Sequence, residues 1–232
     1  MKEMKTMKIK NEKELFALYV KEDVFRPILS APFIQKKDGR VWASDSTMLI
    51  LVNQACVRRK YETTTLIGND LKVRDYNTDI PFTVTDLQAA LDRCPQVPEI
   101  KVSHKLIKCP ECEGNGHVEV EYCSDYDGKI YDLKAVCPIC EGEGMIEKEV
   151  KSPTGRTVPH DDWHIRLGEG NFLWPRIDTV IKTCRLLGIE NLRLLRTDAR
   201  EMSIIELSED IHVAVMPARI KNEKYCINVS NN

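Results

Sequence analysis

The sequence predicts a mixed body of helices and strands interrupted by a small cysteine-rich module. Three observations predict it. The octet CPECEGNG at 109–116 returns as CPICEGEG at 137–144, so both copies read C-P-x-C-x-G-x-G. On either side of this pair, strand-like alternation and helix-like periodicity follow one another along the chain. Charge is also divided. Residues 108–151 hold 11 acidic and 5 basic residues, a net −6 within a chain of net −2, which leaves +4 for the rest.

Composition bounds the answer. With 42% hydrophobic and 30% charged residues, the 232-residue chain has an ordinary globular composition. It is long enough for one large domain, or one domain with a sizeable insertion. Its longest apolar runs, such as MLILV at 48–52, are far too short to span a bilayer, and the basic MKEMKTMKIK start lacks the apolar core of a secretory signal. The predicted location is the cytoplasm, with no membrane partner. Nine cysteines, an odd number that includes C-x-x-C pairs, suggest metal before disulfide. No G-x-S-x-G, Walker A or glycine-rich dinucleotide motif is present, so a non-enzymatic role is expected.

The elements follow in order. MKIK at 7–10 reads as a short strand. Residues 11–23 read as a helix with Leu15, Phe16, Leu18, Tyr19 and Val20 on one side and Asn11 as N-cap. Asp38-Gly39 marks a hairpin turn, and TMLILVN continues as a strand. Asn69-Asp70 and Asn77 suggest turns. TVTDLQAALDRCP reads as a helix capped by Thr83 or Thr85 and stopped before Pro95. EIKVSHKLI at 99–107 and MIEKEVKS at 145–152 alternate as strands, which places the cysteine repeats like a graft on a hairpin tip. SPTGRTVP reads as a loop and WHIRL as a strand. NFLWPRIDTVIKTCRLLG is the strongest helix, with an apolar stripe of Phe172, Leu173, Ile177, Val180, Ile181, Cys184 and Leu187, and Gly188 as its stop. Three strands follow, then a polar tail at 221–232. The predicted domains are therefore a discontinuous body, 1–107 and 145–220, an insertion at 108–144, and the tail.

Cys109, Cys112, Cys137 and Cys140 supply four soft ligands, the closed tetrahedral set of a structural zinc site. The two-residue gap lets both sulfurs of a pair reach one ion. Gly114, Gly116, Gly142 and Gly144 follow where a chain wrapping a metal must turn sharply. So small and acidic a segment cannot bury enough apolar surface to fold alone, and one zinc would supply much of its folding energy. Acidity also directs any nucleic-acid contact to the body.

The repeat C-P-x-C-x-G-x-G resembles the cysteine-rich repeat of the DnaJ-type (Hsp40) chaperones over about 109–144. That family uses four such repeats for two zincs. This chain has two, enough for one, and lacks the His-Pro-Asp tripeptide of a J domain. The resemblance implies a small zinc ribbon for protein contact or rigidity. The body resembles a different family. HVAVMPARI at 212–220 is similar to the closing strand of the bacterial sliding clamp, the β subunit of DNA polymerase III. The stretch RPILSAPFIQKKDGRVWASDSTMLILV, with Ala43-Ser44-Asp45, and the passage FTVTDLQAALDRCPQVPEIKVS resemble clamp segments in the same order. This likeness implies an α+β clamp-type fold, with helices packed on one face of curved antiparallel sheets. It implies basic helices facing double-stranded DNA, for which Arg176, Lys182 and Arg185 are candidates against Asp178. It also implies a pocket for partner motifs at Val215, Met216, Pro217 and Arg219, although Ala218 stands where the family has a large Met and the chain runs on past Ile220.

The leading reading is a non-enzymatic clamp-like accessory or scaffold in DNA replication or repair, with one structural zinc. An adaptor that binds a protein partner through its acidic ribbon, with no DNA role, stands beside it, and a homo-oligomer is compatible with both. A third reading is a metal-dependent hydrolase at His160 and His164.

Overall fold

The structure, a computed structural model, describes residues 7–22, 25–64, 76–126, 128–220 and 225–229. It is α+β and mostly sheet. The chain forms two compact units, one drawn from residues up to 96 and from 159 onward, the other from 97–158.

The first unit is built on one eight-stranded sheet. Its strands are β1 (Phe33–Gln35), β2 (Arg40–Ser44), β3 (Met48–Asn53), β4 (Thr63–Thr64), β5 (Ile80–Thr83), β12 (Asn191–Arg196), β13 (Ser203–Ser208) and β14 (Ile211–Val215). They lie in the order β4-β1-β2-β3-β14-β13-β12-β5. Two antiparallel meanders, β1-β2-β3 and β12-β13-β14, thus join edge to edge where β3 pairs with β14, and Ile50 stands opposite Val213. The period of two sorts their side chains. Ile50, Val52, Ile205, Val213 and Val215 enter the main core, whereas Trp42, Leu49, Leu51, Ile204 and Ala214 form a smaller cluster with Phe33. The hairpin turn stands where expected, with Gly39 at φ +66°.

Helices α1 (Glu12–Ala17), α2 (Val84–Asp92) and α3 (Trp174–Leu187) supply the rest of the main core through Leu15, Phe16, Leu87, Ile177, Val180 and Ile181. Thr83 caps α2 by a reciprocal box with Asp86, so Thr83 rather than Thr85 is the cap. Gly188 ends α3 in the left-handed region at φ +67°. A three-stranded sheet of β10 (His164–Leu167), β11 (Gly170–Leu173) and β15 (Cys226–Asn228) completes this unit, in the order β11-β10-β15.

Several expectations are corrected. Residues 7–10 form no strand; Ile9 N–H donates to Cys56 O at 2.9 Å. α1 stops at Ala17, and Asn11 makes no side-chain cap. Phe172 and Leu173 belong to β11, because α3 starts only where Pro175 can occupy its first turn. The tail is not wholly unstructured, since 226–228 add a strand parallel to β10. SPTGRTVP is not a loop: β9, described below, runs through it. The turn expected at Asn69-Asp70 lies outside the described residues, while Asn77 exchanges two hydrogen bonds with the Thr197 backbone at 2.8 and 3.0 Å.

One buried charge-capable group sits within the large sheet. His212 is almost fully buried, with Nε2 3.6 Å from Glu206 Oε2 and Nδ1 unsatisfied among the described residues. Burial, reinforced by Arg40, lowers its pKa to about 4. Between that value and the ordinary 6.5, the unfolded chain binds a proton that the folded chain refuses. Stability is therefore full above pH 6.5 and falls as pH drops towards 4, by about 3 kcal/mol from this group. Urea unfolding from pH 7 to 4 should show that slope, and His212→Leu should flatten it by about that amount. Identical slopes in both proteins would refute the assignment.

Candidate metal centre

The second unit consists of two strand pairs. β6 (Gln96–Lys108) pairs with β9 (Met145–Pro159), and β7 (His117–Cys123) pairs antiparallel with β8 (Ile130–Val136). The four cysteines lie in the turns that follow β6 and β8. Each C-x-x-C folds in the same way, because each has the same sequence. Asn115 N–H donates to Cys112 O at 2.8 Å, and Glu143 N–H to Cys140 O at 2.9 Å. Gly116 N–H donates to Cys112 Sγ and Gly144 N–H to Cys140 Sγ, both at 3.2 Å. The turns then bond to each other: Cys109 N–H donates to Gly144 O, and Cys137 N–H to Gly116 O, both at 2.9 Å.

Glycine is required where the turns meet. A Cβ on Gly116 would lie 2.3 Å from Gly142 O, and one on Gly144 would lie 2.4 Å from Gly114 O. Both residues also have positive φ, +76° and +74°. The repeat thus has two chemical jobs: its cysteines offer sulfur, and its last glycine lets the two turns close.

The four sulfurs lie within 4.8 Å of one another, and all four cysteines are buried. Cys109 Sγ is 3.7 Å from Cys137 Sγ, and Cys112 Sγ is 3.6 Å from Cys140 Sγ. These are not disulfides, whose bonds are about 2.05 Å. They match the edge of about 3.8 Å that follows from a tetrahedron with Zn–S arms of about 2.3 Å. The cluster can therefore bind a metal. Burial opposes ionisation in the Cys112–Cys140 pair. The amides of Gly116 and Gly114 outweigh it at Cys112, which comes down to about 7, while Cys140 beside it is pushed up to about 11. A bound cation would stabilise all four thiolates together. Val118 and Ile146 pack around the cluster and supply its apolar shell.

The other candidate residues are placed differently. Arg176, half-buried on α3, donates to Met216 O, and burial lowers its pKa. Lys182 pairs with Asp178 at 2.6 Å, and Arg185 donates to Gln88 Oε1 at 2.8 Å. Arg185 borders a shallow groove of about 430 Å³ between α2 and α3 that also holds Asp92 and Glu190, which offsets its charge. Val215 is buried at the end of β14, whereas Met216 and Arg219 are exposed and Pro217 is half-buried. His160 accepts from Asp162 N–H at 3.1 Å, and His164 Nδ1 lies 3.0 Å from Asp162 O. Neither belongs to a metal-capable cluster; among the described residues the four cysteines form the one such group. Of the remaining cysteines, Cys56, Cys94 and Cys184 are buried and Cys123 is exposed.

Sequence reasoning missed Glu12. This buried carboxylate accepts from Arg58 N–H, Arg59 N–H and Tyr61 O–H. Its only sequence signal is an acidic residue on the apolar side of a short helix.

No protein-family model matches the chain, and no curated protein matches it. Solved structures do. The chain is similar to the DNA polymerase III subunit beta of Pseudomonas aeruginosa, at 13% identity and TM-score 0.40, over 95% of this chain and 69% of that one. It is similar to the DNA polymerase sliding clamp of Bacillus subtilis, at 15% identity and TM-score 0.40, over 94% and 65%. It is similar to the sliding clamp of Bartonella birtlesii, at 10% identity and TM-score 0.43, over 90% and 64%. The chain spans about two-thirds of the length of these clamps.

Proposed function

We propose that this chain is a non-enzymatic, clamp-like accessory or scaffold in DNA replication or repair, stiffened by one structural zinc held by Cys109, Cys112, Cys137 and Cys140. The observation that carries the clamp half is a convergence. Three separate stretches that resemble clamp segments meet at the end of β14. Met216 N–H donates to Thr47 O at 2.9 Å, Arg176 of α3 donates to Met216 O, and Asp45 anchors the intervening turn through Thr47 and Met48 N–H, both at 2.8 Å. Asp45 also acts electrostatically on Arg176. Residues far apart in sequence thus build one polar junction beside Pro217 and Arg219, where a short partner motif would be read.

The test is binding of a labelled duplex by fluorescence anisotropy at two salt concentrations. Arg176 is structural here, so the informative variant is Lys182→Glu with Arg185→Glu. With two or three phosphate contacts, affinity should fall about 10- to 40-fold between 50 and 200 mM salt. The double variant should weaken binding and flatten that dependence. Absence of salt-sensitive binding by the wild type would overturn the DNA reading. The adaptor reading, favoured by the net −6 of residues 108–151, would then stand.

A further inference from the structure

The register of β7 against β8 divides their side chains unequally. Val118 stands opposite Ala135, Val120 opposite Leu133, and Tyr122 opposite Tyr131. Because side chains alternate, these six share one face of the hairpin and every one is apolar or aromatic. The other face carries Glu119, Glu121 and Asp132 with Lys134 at its centre. The apolar face is open: Val120, Tyr122, Tyr131 and Leu133 are 40, 53, 44 and 47% exposed. Beside the sulfurs, Val118 joins it to the cysteine cluster, so the stripe is anchored at one end on a rigid support. A contiguous apolar patch of this kind on a polar module marks an interaction surface.

We propose that this face is a docking strip for a single polypeptide segment that is apolar on the side meeting the strip and rich in lysine or arginine around it. The proposal rests on reading residues 97–158 as a protein-contact module. Shape limits the occupant to one segment, since the strip is two strands wide and about 14 Å long from residue 118 to 122. Charge selects its sign. The acidic surround repels an acidic peptide, and it equally repels a second copy of itself, whose hairpin would bring another net −6. Apolar burial would supply affinity, and the acidic residues would supply selectivity and on-rate.

The experiment uses the full zinc-loaded chain and two fluorescein-labelled nine-residue peptides, one alternating valine with lysine and one alternating valine with glutamate. Fluorescence anisotropy should show the valine–lysine peptide binding at least tenfold tighter. Val120→Thr with Leu133→Thr, which keeps strand propensity while making the strip polar, should weaken it at least tenfold. Glu119→Gln with Glu121→Gln, which leaves the strip intact, should weaken it severalfold and reduce its salt dependence. Zinc content and hairpin amide exchange are followed in each variant. If the threonine pair loses zinc, the glutamine pair and the peptide comparison still decide. Equal binding of the two peptides, no binding of the valine–lysine peptide, or indifference to both variants would overturn the proposal. So would a doubling of solution mass that the threonine pair abolishes, because the occupant would then be a second copy. A chain that holds no zinc would instead undercut the module on which the proposal stands, a result distinguishable from all of these.

Discussion

Stripping the metal from the four-cysteine cluster is expected to unfold residues 97–158 while the rest of the chain keeps its cooperative melt. The expectation follows from how little else holds that unit together. Its buried cluster is four cysteines with Val118 and Ile146 packed against it. Its strands come in pairs, and an isolated two-stranded pair is marginal in water. Against this stands an ordering cost of about 1–2 kcal/mol for each residue's backbone. Structural zinc contributes about 10–16 kcal/mol in small metal-folded modules, enough to decide the outcome. Cys137→Ser should act like chelation, because it removes one sulfur and leaves three without a closed shell. Hydrogen exchange reads the result at defined amides. Cys109 N–H and Cys137 N–H, bonded across the two turns, should be protected in the metal-loaded protein and exchange freely after chelation. Acid should mimic the chelator, since protons compete with the metal for thiolates. Protection that survives both chelation and Cys137→Ser would show that the turns close without an ion.

The metal geometry is legible in the sequence because it is local. Two residues between cysteines, and glycines at fixed offsets, specify a turn whatever surrounds it, and the structure closes both turns identically. The large sheet is partly legible for a similar reason: hairpins announce themselves through short-range signals such as Asp38-Gly39. The pairing of β3 with β14 is not, because it joins residues about 160 positions apart and no local pattern encodes a long-range edge. The start of α3 is misread for a physical reason too. Phe172 and Leu173 satisfy a helical stripe and a strand equally well, and tertiary pairing with β10 decides between them. The charged candidates fail differently. Helical spacing places Arg176, Lys182 and Arg185 towards solvent, but it says nothing of Met216 O, Asp178 or Gln88, which engage them. The apolar strip on β7 and β8 escapes notice because acidic residues interleave with it, and only the register shows that the two sets face opposite ways.

Replacing Glu12 with Ala is expected to cost the body about 3–5 kcal/mol, the range for removing one partner of a buried charged network. The helix α1 is too short to stand on its own propensity, at six residues and without a side-chain cap. What fixes it is the carboxylate at its first position, which reaches the segment after β3. Arg58 N–H donates to one oxygen at 2.5 Å. Arg59 N–H and Tyr61 O–H donate to the other at 3.2 and 2.9 Å. Burial and this carboxylate together raise the Tyr61 phenol, which therefore stays a donor. Tyr61 in turn packs edge-on against Phe16 of α1, with centroids 5.5 Å apart. The basic run RRK at 58–60 thus contributes its backbone rather than its charge at this point. Alanine leaves three donors without an acceptor in a site closed to water, and it frees α1 from the core. Gln keeps one acceptor oxygen but turns an N–H₂ towards other donors, so Glu12→Gln should lose less than Ala and more than half as much. Tyr61→Phe removes only one of the three bonds and keeps the ring contact, so about 1 kcal/mol should go. Urea midpoints at pH 7 rank the three variants. An alanine variant within about 1 kcal/mol of wild type would mean that water satisfies the stranded amides and that Glu12 is no more than a solvated helix start.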